Sequence, residues 1–273
     1  ESGTQQVTAT ITDDDAAPTV TLSISGSPMA EAAGVATVTA TLSAVSGQDV
    51  TVNLAFSGTA TLTSDYTRSG TSISITAGST TGSVTLTAVQ DTIDEPDETI
   101  VVDIATVSNG TESGTQQVTA TITDDDPPPS VAFNVTTSSG SESVTPANLS
   151  VSLSAPSGQL VTVEYAVTGG TATGGGVDYT LVSGTLIFSA GQTTKTLPIS
   201  IVDDALDEAN ETIQVTLANP INATLGTNTV HTYTITDDDP PPSVAFDATS
   251  SSGLESVTSV NIPVSLSTIS GQT

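Results

Sequence analysis

The chain has 273 residues and a formal charge of −28, from 30 Asp and Glu against 2 Lys and Arg. Phosphate backbones and anionic membrane surfaces repel such a charge, and no apolar run approaches the roughly 18 residues of a membrane span, so nucleic acid and direct membrane insertion are excluded as partners. The absence of cysteine removes disulfides and thiolate metal sites, and a single histidine cannot build the imidazole clusters of zinc, copper or haem chemistry.

From the N-terminus onward the first feature is self-similarity, which decides architecture before any local motif does. Residues 1–15, ESGTQQVTATITDDD, recur without change at 112–126. The block TITDDD returns at 234–239, its acid triplet beginning at 237 against 124 in the previous copy, an offset of 113. PPPSVAFNVTTSSGSESV at 127–144 is answered by PPPSVAFDATSSSGLESV at 240–257. The chain therefore reads as the final strand of one repeat (1–15), two whole repeats (16–126 and 127–239) and the opening strands of an incomplete one (240–273). A lone strand and an opening fragment cannot each close a core. Either the chain is a window of a longer array, or its ends complete themselves against neighbouring molecules.

Within a repeat the apolar residues alternate with period 2. Val20, Leu22 and Ile24 come first, then Val38, Ala40 and Leu42, then Val50, Val52, Leu54 and Phe56. The second repeat follows with Val131 and Phe133, Leu149 to Leu153, Val161 to Val167, Leu186 and Phe188, Leu197 to Ile201, Ile213 to Leu217, and Tyr233 and Ile235. About seven short β-branched strands per roughly 110 residues, punctuated by Gly, Asn, Ser and Pro, predict an all-β chain of tandem immunoglobulin-like seven-stranded β-sandwiches. With 3% aromatic residues, the cores must rest largely on Val, Ile, Leu, Ala and Thr.

The acids are clustered at strand ends. Asp91, Asp94, Glu95, Asp97 and Glu98 precede the Ile100 strand, and Asp124, Asp125 and Asp126 leave the last strand of the repeat. Asp203, Asp204, Asp207, Glu208 and Glu211, then Asp237, Asp238 and Asp239, repeat the arrangement. Alternate loops of a sandwich share a pole, so the two clusters meet there, and crowded carboxylates repel unless a cation intervenes or some stay protonated. Arg68 and Lys195 are the only basic side chains, so the counter-charge comes from outside. An all-oxygen set suits calcium, which takes six to eight such ligands, better than magnesium, and eight or so carboxylates exceed what one ion needs. Acidic loops simply solvated in a salty medium are the bland alternative.

Asp178-Tyr179, Gly184 to Phe188, Gly191 to Thr196, Asp203-Asp204, Asp207-Glu208, Glu211-Thr212 and Thr234 to Asp239 together resemble the Calx-β motif across essentially the whole chain. The resemblance implies a seven-stranded sandwich with two or more calcium ions per full repeat at the pole nearest the next domain. It implies as ligands Glu31, Asp65, Asp91, Glu95, Glu98, Asp124, Asp125 and Asp126, with the Ile93 carbonyl, in the first repeat. In the second it implies Glu142, Asp178, Asp203, Asp204, Glu208, Glu211, Asp237, Asp238 and Asp239, with the Leu206 carbonyl. Gln90 stands where the second repeat has Asp203, so the first is expected to hold fewer ions or hold them less tightly.

No Ser, His and Asp set recurs between repeats, and His231, in an alternating strand, is expected to be an ordinary surface or cross-strand residue, so no enzymatic activity is expected. Paired carboxylates can hydrolyse glycosides, but the lack of Trp leaves no sugar-stacking cleft. The acid triplets run straight into Pro127-Pro128-Pro129 and Pro240-Pro241-Pro242, semi-rigid spacers of about 3 Å per residue. The expectation is a calcium-stiffened extracellular or cell-surface array, as a stalk, adhesin shaft or filament subunit. Its partners would be neighbouring repeats of the same chain or identical chains in a filament. Alternatives are an adhesin module that recognises carbohydrate or protein, and a calcium-sensing regulatory domain.

Overall fold

The structure, a computed structural model, describes residues 3–272. The chain separates into two compact units, 1–126 and 127–273, each with its own apolar core. Unit 1 contains β1 (Thr19–Ser25), β2 (Met29–Ala30), β3 (Val35–Leu42), β4 (Val50–Gly58), β5 (Tyr66–Arg68), β6 (Ser72–Ile75), β7 (Thr81–Ala88), β8 (Glu98–Ser108), β9 (Thr111–Glu112) and β10 (Gln117–Thr123). One sheet runs β5-β7-β3-β1-β9 and the other β2-β10-β8-β4-β6. Seven of these are the principal strands; β2, β5 and β9 are pieces of two or three residues that extend sheet edges.

Unit 2 repeats the plan with β11 (Ser130–Phe133), β12 (Thr137–Ser141), β13 (Ala147–Leu153), β14 (Val161–Gly170), β15 (Tyr179–Thr180), β16 (Gly184–Phe188), β17 (Thr194–Ile201), β18 (Glu211–Ile221), β19 (Thr224–Leu225) and β20 (Val230–Thr236). Its sheets run β15-β17-β13-β11-β19 and β12-β20-β18-β14-β16. The alternation read from sequence is the burial pattern: in β17 Leu197, Ile199 and Ile201 are buried while Thr194, Thr196, Pro198 and Ser200 face out. Period-2 geometry sends successive side chains to opposite faces, so the repeated Val/Ile and Thr/Ser steps give each sheet one apolar and one polar side. The chain is thus all-β, two β-sandwiches in tandem, and among the described residues no helix is long and apolar enough to cross a membrane.

One departure from the sequence reading concerns the ends. Residues 4–15 form no strand and lie exposed, although their sequence is that of β10, because a ladder needs the sheet that supplies its partners. The strands within residues 240–272 are one antiparallel pair, β21 (Val244–Phe246) with β22 (Val264–Leu266), in the register that joins β11 to β13. Of the two roles expected for His231, surface or cross-strand, the structure shows the second, with the ring buried. Its Nδ1 donates to the Val135 carbonyl at 2.7 Å, its Nε2 lies 2.7 Å from Ser138 Oγ, and its ring lies 5.4 Å from that of Phe133. A carbonyl can only accept, so Nδ1 carries the proton and Nε2 accepts from the serine. This bonding ties β12, five residues long where β2 has two, to β20.

Candidate metal centre

The acidic pole of each unit is assembled from four chain segments, and backbone bonds fix each one. In unit 1 the Glu31 amide donates to the Thr123 carbonyl at 3.0 Å, carrying the β2 edge onto the end of β10. Asp65 closes its own loop: its amide donates to Thr61 O at 3.0 Å, its carboxylate accepts from the Thr61 amide, and its carbonyl accepts from the Val89 amide at 2.9 Å. Unit 2 repeats this with Glu142 on Thr236, Asp178 on Thr173, and the Val202 amide on Asp178. A reciprocal threonine pair then clamps that loop to the start of the next acidic strand. Thr99 N donates to Thr59 Oγ1 at 2.8 Å and Thr212 N to Thr171 Oγ1 at 2.9 Å, with the return bonds at 3.3 and 3.2 Å.

Gly58 and Gly170 make the clamp possible. Their φ angles are +121° and +119°, and an added Cβ would lie 2.2 Å from the Thr99 carbonyl oxygen or 2.1 Å from that of Thr212. Only glycine accepts both that dihedral and that approach.

These scaffolds bring most of the expected ligands together. In unit 1 Glu31, Asp91 and Asp126 each offer an oxygen within 4.8 Å of the others, and Asp65, Glu95 and Glu98 form a second such group. Asp124 lines the same small cleft as Glu31, Asp65, Glu95 and Glu98. In unit 2 Glu142 is shared by two groups, one with Asp237 and Asp239 and one with Asp203 and Asp238. Asp178, Asp204, Glu208 and Glu211 line the adjoining cleft with Glu142 and Asp237.

Three expected ligands behave otherwise. Asp125 is exposed and joins no close group, whereas its counterpart Asp238 forms one with Glu142 and Asp203, and unit 1 has Gln90 in the place of Asp203. Ile93 and Leu206 meet carboxylates through their amides, which donate to Asp91 Oδ1 at 2.7 Å and Asp204 Oδ1 at 2.8 Å. Such turns shape the loop around an acid, and the two carbonyls, the expected ligand atoms, take no part in them. Gln90, in the place of Asp203, donates Nε2 to the Asp91 carbonyl at 2.9 Å and lies 3.5 Å from Asp126 Oδ2.

Sequence reading passed over Ser141 and Ser143, whose hydroxyls donate to Asp238 Oδ2 at 2.6 and 2.7 Å and hold that carboxyl below its usual range. The other shifts run upward. Burial, followed by contact with Asp65, pushes Glu98 up to about 7. Burial, followed by contact with Asp178, does the same for Glu211. Glu142 is also pushed up to about 7, by burial and then by Asp239, Asp237 and Asp204. Glu31, Glu95, Asp124 and Glu208 are raised as well, burial being the first cause for each.

Three carboxylate oxygens, Asp124 Oδ1, Glu142 Oε1 and Asp239 Oδ2, are buried with no hydrogen-bond partner. A buried lone pair without a donor is costly, and a cation is the partner that suits several of them at once. The donors are all oxygen and numerous, which fits the six to eight ligands of calcium better than the tight, partly hydrated octahedron of magnesium. The one guanidinium does not compete, since Arg68 lies over the Phe56 ring at 4.2 Å.

The chain is a tandem of β-sandwiches, each with an acidic pole whose close donor groups are all oxygen. The family model for the Calx-beta domain matches residues 13–126 and 124–239, and the chain belongs to that family. Among solved structures, the apo-form Calx CBD1 domain is 26% identical and covers 41% of this chain and 98% of its own, with a TM-score of 0.39. The calcium binding domain CBD12 of CALX1.1 is 19% identical over 75% of this chain and 95% of its own, TM-score 0.36. The Calx CBD2 domain is 18% identical over 40% of this chain and 86% of its own, TM-score 0.37. No curated protein matches the chain. The family membership rests on the two matched segments.

Proposed function

We propose that the chain is part of a calcium-stiffened structural array at a cell surface or outside the cell, a stalk, adhesin shaft or filament. Neighbouring repeats, or identical chains in a filament, are its partners. The observation that carries this reading is the crowding of carboxylates within 4.8 Å in both units together with buried oxygens that have no hydrogen-bond partner. Glu31, Asp91 and Asp126 would hold one ion in unit 1, and Asp65, Glu95, Glu98 and Asp124 another. In unit 2, Glu142 would bridge the ions of the Asp237/Asp239 and Asp203/Asp238 groups, with Asp178, Asp204, Glu208 and Glu211 beside them.

When bound, the ion supplies counter-charge, and the residues do the rest. Asp126 and Asp239 sit directly before triple prolines, so fixing either carboxylate immobilises the residue that launches a semi-rigid spacer. Extracellular calcium near millimolar matches weak structural sites, which add about 2.7 kcal/mol each at 100 times the dissociation constant. Calcium titration followed by melting temperature and by small-angle scattering tests the reading. A rise in both stability and particle length is expected, and indifference to millimolar calcium overturns it.

A second reading, a ligand-binding adhesin module, is favoured by one feature, a shallow cleft of about 350 Å³ over β14, β16 and β18, floored by Tyr165 and Gly184. Retention on immobilised glycans that is lost in Tyr165→Ala would support it.

A further inference from the structure

Asp207 is the acid of the β17–β18 loop that neither joins a close carboxylate group nor lines the acidic cleft, although it is only 9% exposed and flanked by Leu206 and Glu208. Both of its carboxylate oxygens are already engaged, by residues 63 and 65 positions downstream. Ser270 Oγ donates to Oδ2 at 3.1 Å and Gln272 Nε2 to Oδ1 at 3.2 Å. The same Gln272 amide donates to the Glu208 carbonyl at 3.1 Å, and the Gly271 amide donates to the Asp207 carbonyl at 3.0 Å. Ser270 and Asp207 form a parallel bridge, and the turn supports itself through a 3.1 Å bond from the Gln272 amide to Ser270 Oγ.

Each residue of the tripeptide has a separate task. Serine and glutamine satisfy one carboxylate oxygen apiece, the charge-assisted kind of bond that a half-buried carboxylate requires. Glycine allows the close approach, since an added Cβ at 271 would lie 2.9 Å from both Cγ and Oε1 of Glu208 and that side chain would have to shift. Both halves of the contact belong to the repeat. Asp94 stands 113 residues before Asp207, Ser157-Gly158-Gln159 stands 113 residues before Ser270-Gly271-Gln272, and Ser46-Gly47-Gln48 begins the series.

We propose that Asp207 is a docking residue whose partner is the Ser-Gly-Gln turn of the following repeat, recognised by side-chain hydrogen bonding without metal. An acid of the cation-binding loop is thereby set aside for the next module. The contact also grips the Glu208 carbonyl, so the loop bearing a candidate ligand is held from outside the site.

The test is amide exchange of Gly271, read by NMR in the full chain with chelator present, with the Val215 amide of β18 as the control for folding. Protection of Gly271 is expected in the parent chain. Asp207→Asn alone replaces one of the two acceptor oxygens with a donor and removes the charge that strengthens both bonds, and Gln272→Glu alone sets two carboxylates face to face; each should speed exchange about tenfold or more. The two together restore a donor opposite an acceptor between 207 and 272 but leave the Glu208 carbonyl without its donor, so protection should return in part. Ser270→Ala, distant from the core, should give a partial loss and keeps the test open if an acid-loop variant fails to fold. An unprotected Gly271 in the parent, singles that change nothing, or a double variant that recovers nothing would overturn the proposal. Because chelator is present, those results do not bear on calcium binding.

Discussion

Glu211, the first residue of β18, meets Asp178 of the β14–β15 loop carboxyl to carboxyl within hydrogen-bonding reach, and Glu98 meets Asp65 in the same way. Two carboxyls can approach so closely only if a proton or a cation lies between them. The pole of each unit therefore has two charge states, a protonated one that needs no metal and an ionised one that does.

The first prediction concerns pH without metal. Glu98, Glu142 and Glu211 have folded values near 7 against an ordinary 4.5. A raised carboxyl stabilises the fold fully below its unfolded value, and that contribution is lost as pH climbs through the folded one. In chelator the melting temperature should fall between pH 5 and pH 8. Calcium should flatten or reverse the slope, because ligands must deprotonate to bind. A melting temperature in chelator that is level or rising across this range would be inconsistent with the crowded poles.

A second prediction isolates Glu142, the acid shared by two groups and carrying an unpartnered buried oxygen. Glu142→Gln removes charge from both groups while keeping the volume. In chelator the variant should be as stable as the parent or more so, since a repelled carboxylate has gone. Its calcium affinity in unit 2 should drop at least tenfold, about 1.4 kcal/mol. Calorimetric titration measures the second effect and thermal melting the first; a variant destabilised equally with and without calcium would point to a packing role instead.

A third prediction tests the glycine on which the clamp depends. Gly170→Ala forces a methyl group to 2.1 Å from the Thr212 carbonyl at φ +119°. A strained dihedral of this kind costs about 1–3 kcal/mol, and the clash adds to it. Urea unfolding should show a loss of that size, and calcium affinity should fall because the Thr171–Thr212 pair no longer aligns Asp178 with Glu211. Unchanged urea midpoint and affinity would show that the loop is positioned by something else.

The sandwiches were legible because alternation is a backbone property: Leu197, Ile199 and Ile201 must share a face whatever surrounds them. The acidic poles were legible because charge clusters at strand ends in both repeats. What escaped had no distinctive composition. Ser141 and Ser143 are two serines in a chain full of them, and only the fold shows that they reach Asp238. The Thr59–Thr99 and Thr171–Thr212 pairs are long-range partners that no spacing announces. Asp207 read as one more member of an acidic run, and its separate use depends on a turn some 65 residues later. Residues 4–15 mark the opposite limit, since an alternating sequence specifies a strand only where a sheet receives it.

The last prediction exploits the difference between the repeats. Gln90 donates to the Asp91 carbonyl and lies near Asp126, whereas Asp203 contributes an oxygen to the group it forms with Glu142 and Asp238. Gln90→Asp should install the missing carboxylate beside Glu31, Asp91 and Asp126. Without metal the new charge has only like-charged neighbours, and with the donated hydrogen bond also lost, the melting temperature in chelator should fall. With calcium the same charge becomes a ligand, so affinity in unit 1 should rise about tenfold, or the stoichiometry by one ion, when measured by calorimetry. The reverse change, Asp203→Asn, should weaken the Glu142/Asp238 group in the same proportion. Opposite effects of one substitution in chelator and in calcium are the signature of a cation site, and a Gln90→Asp chain less stable under both conditions would mean that the glutamine is there for its hydrogen bonds alone.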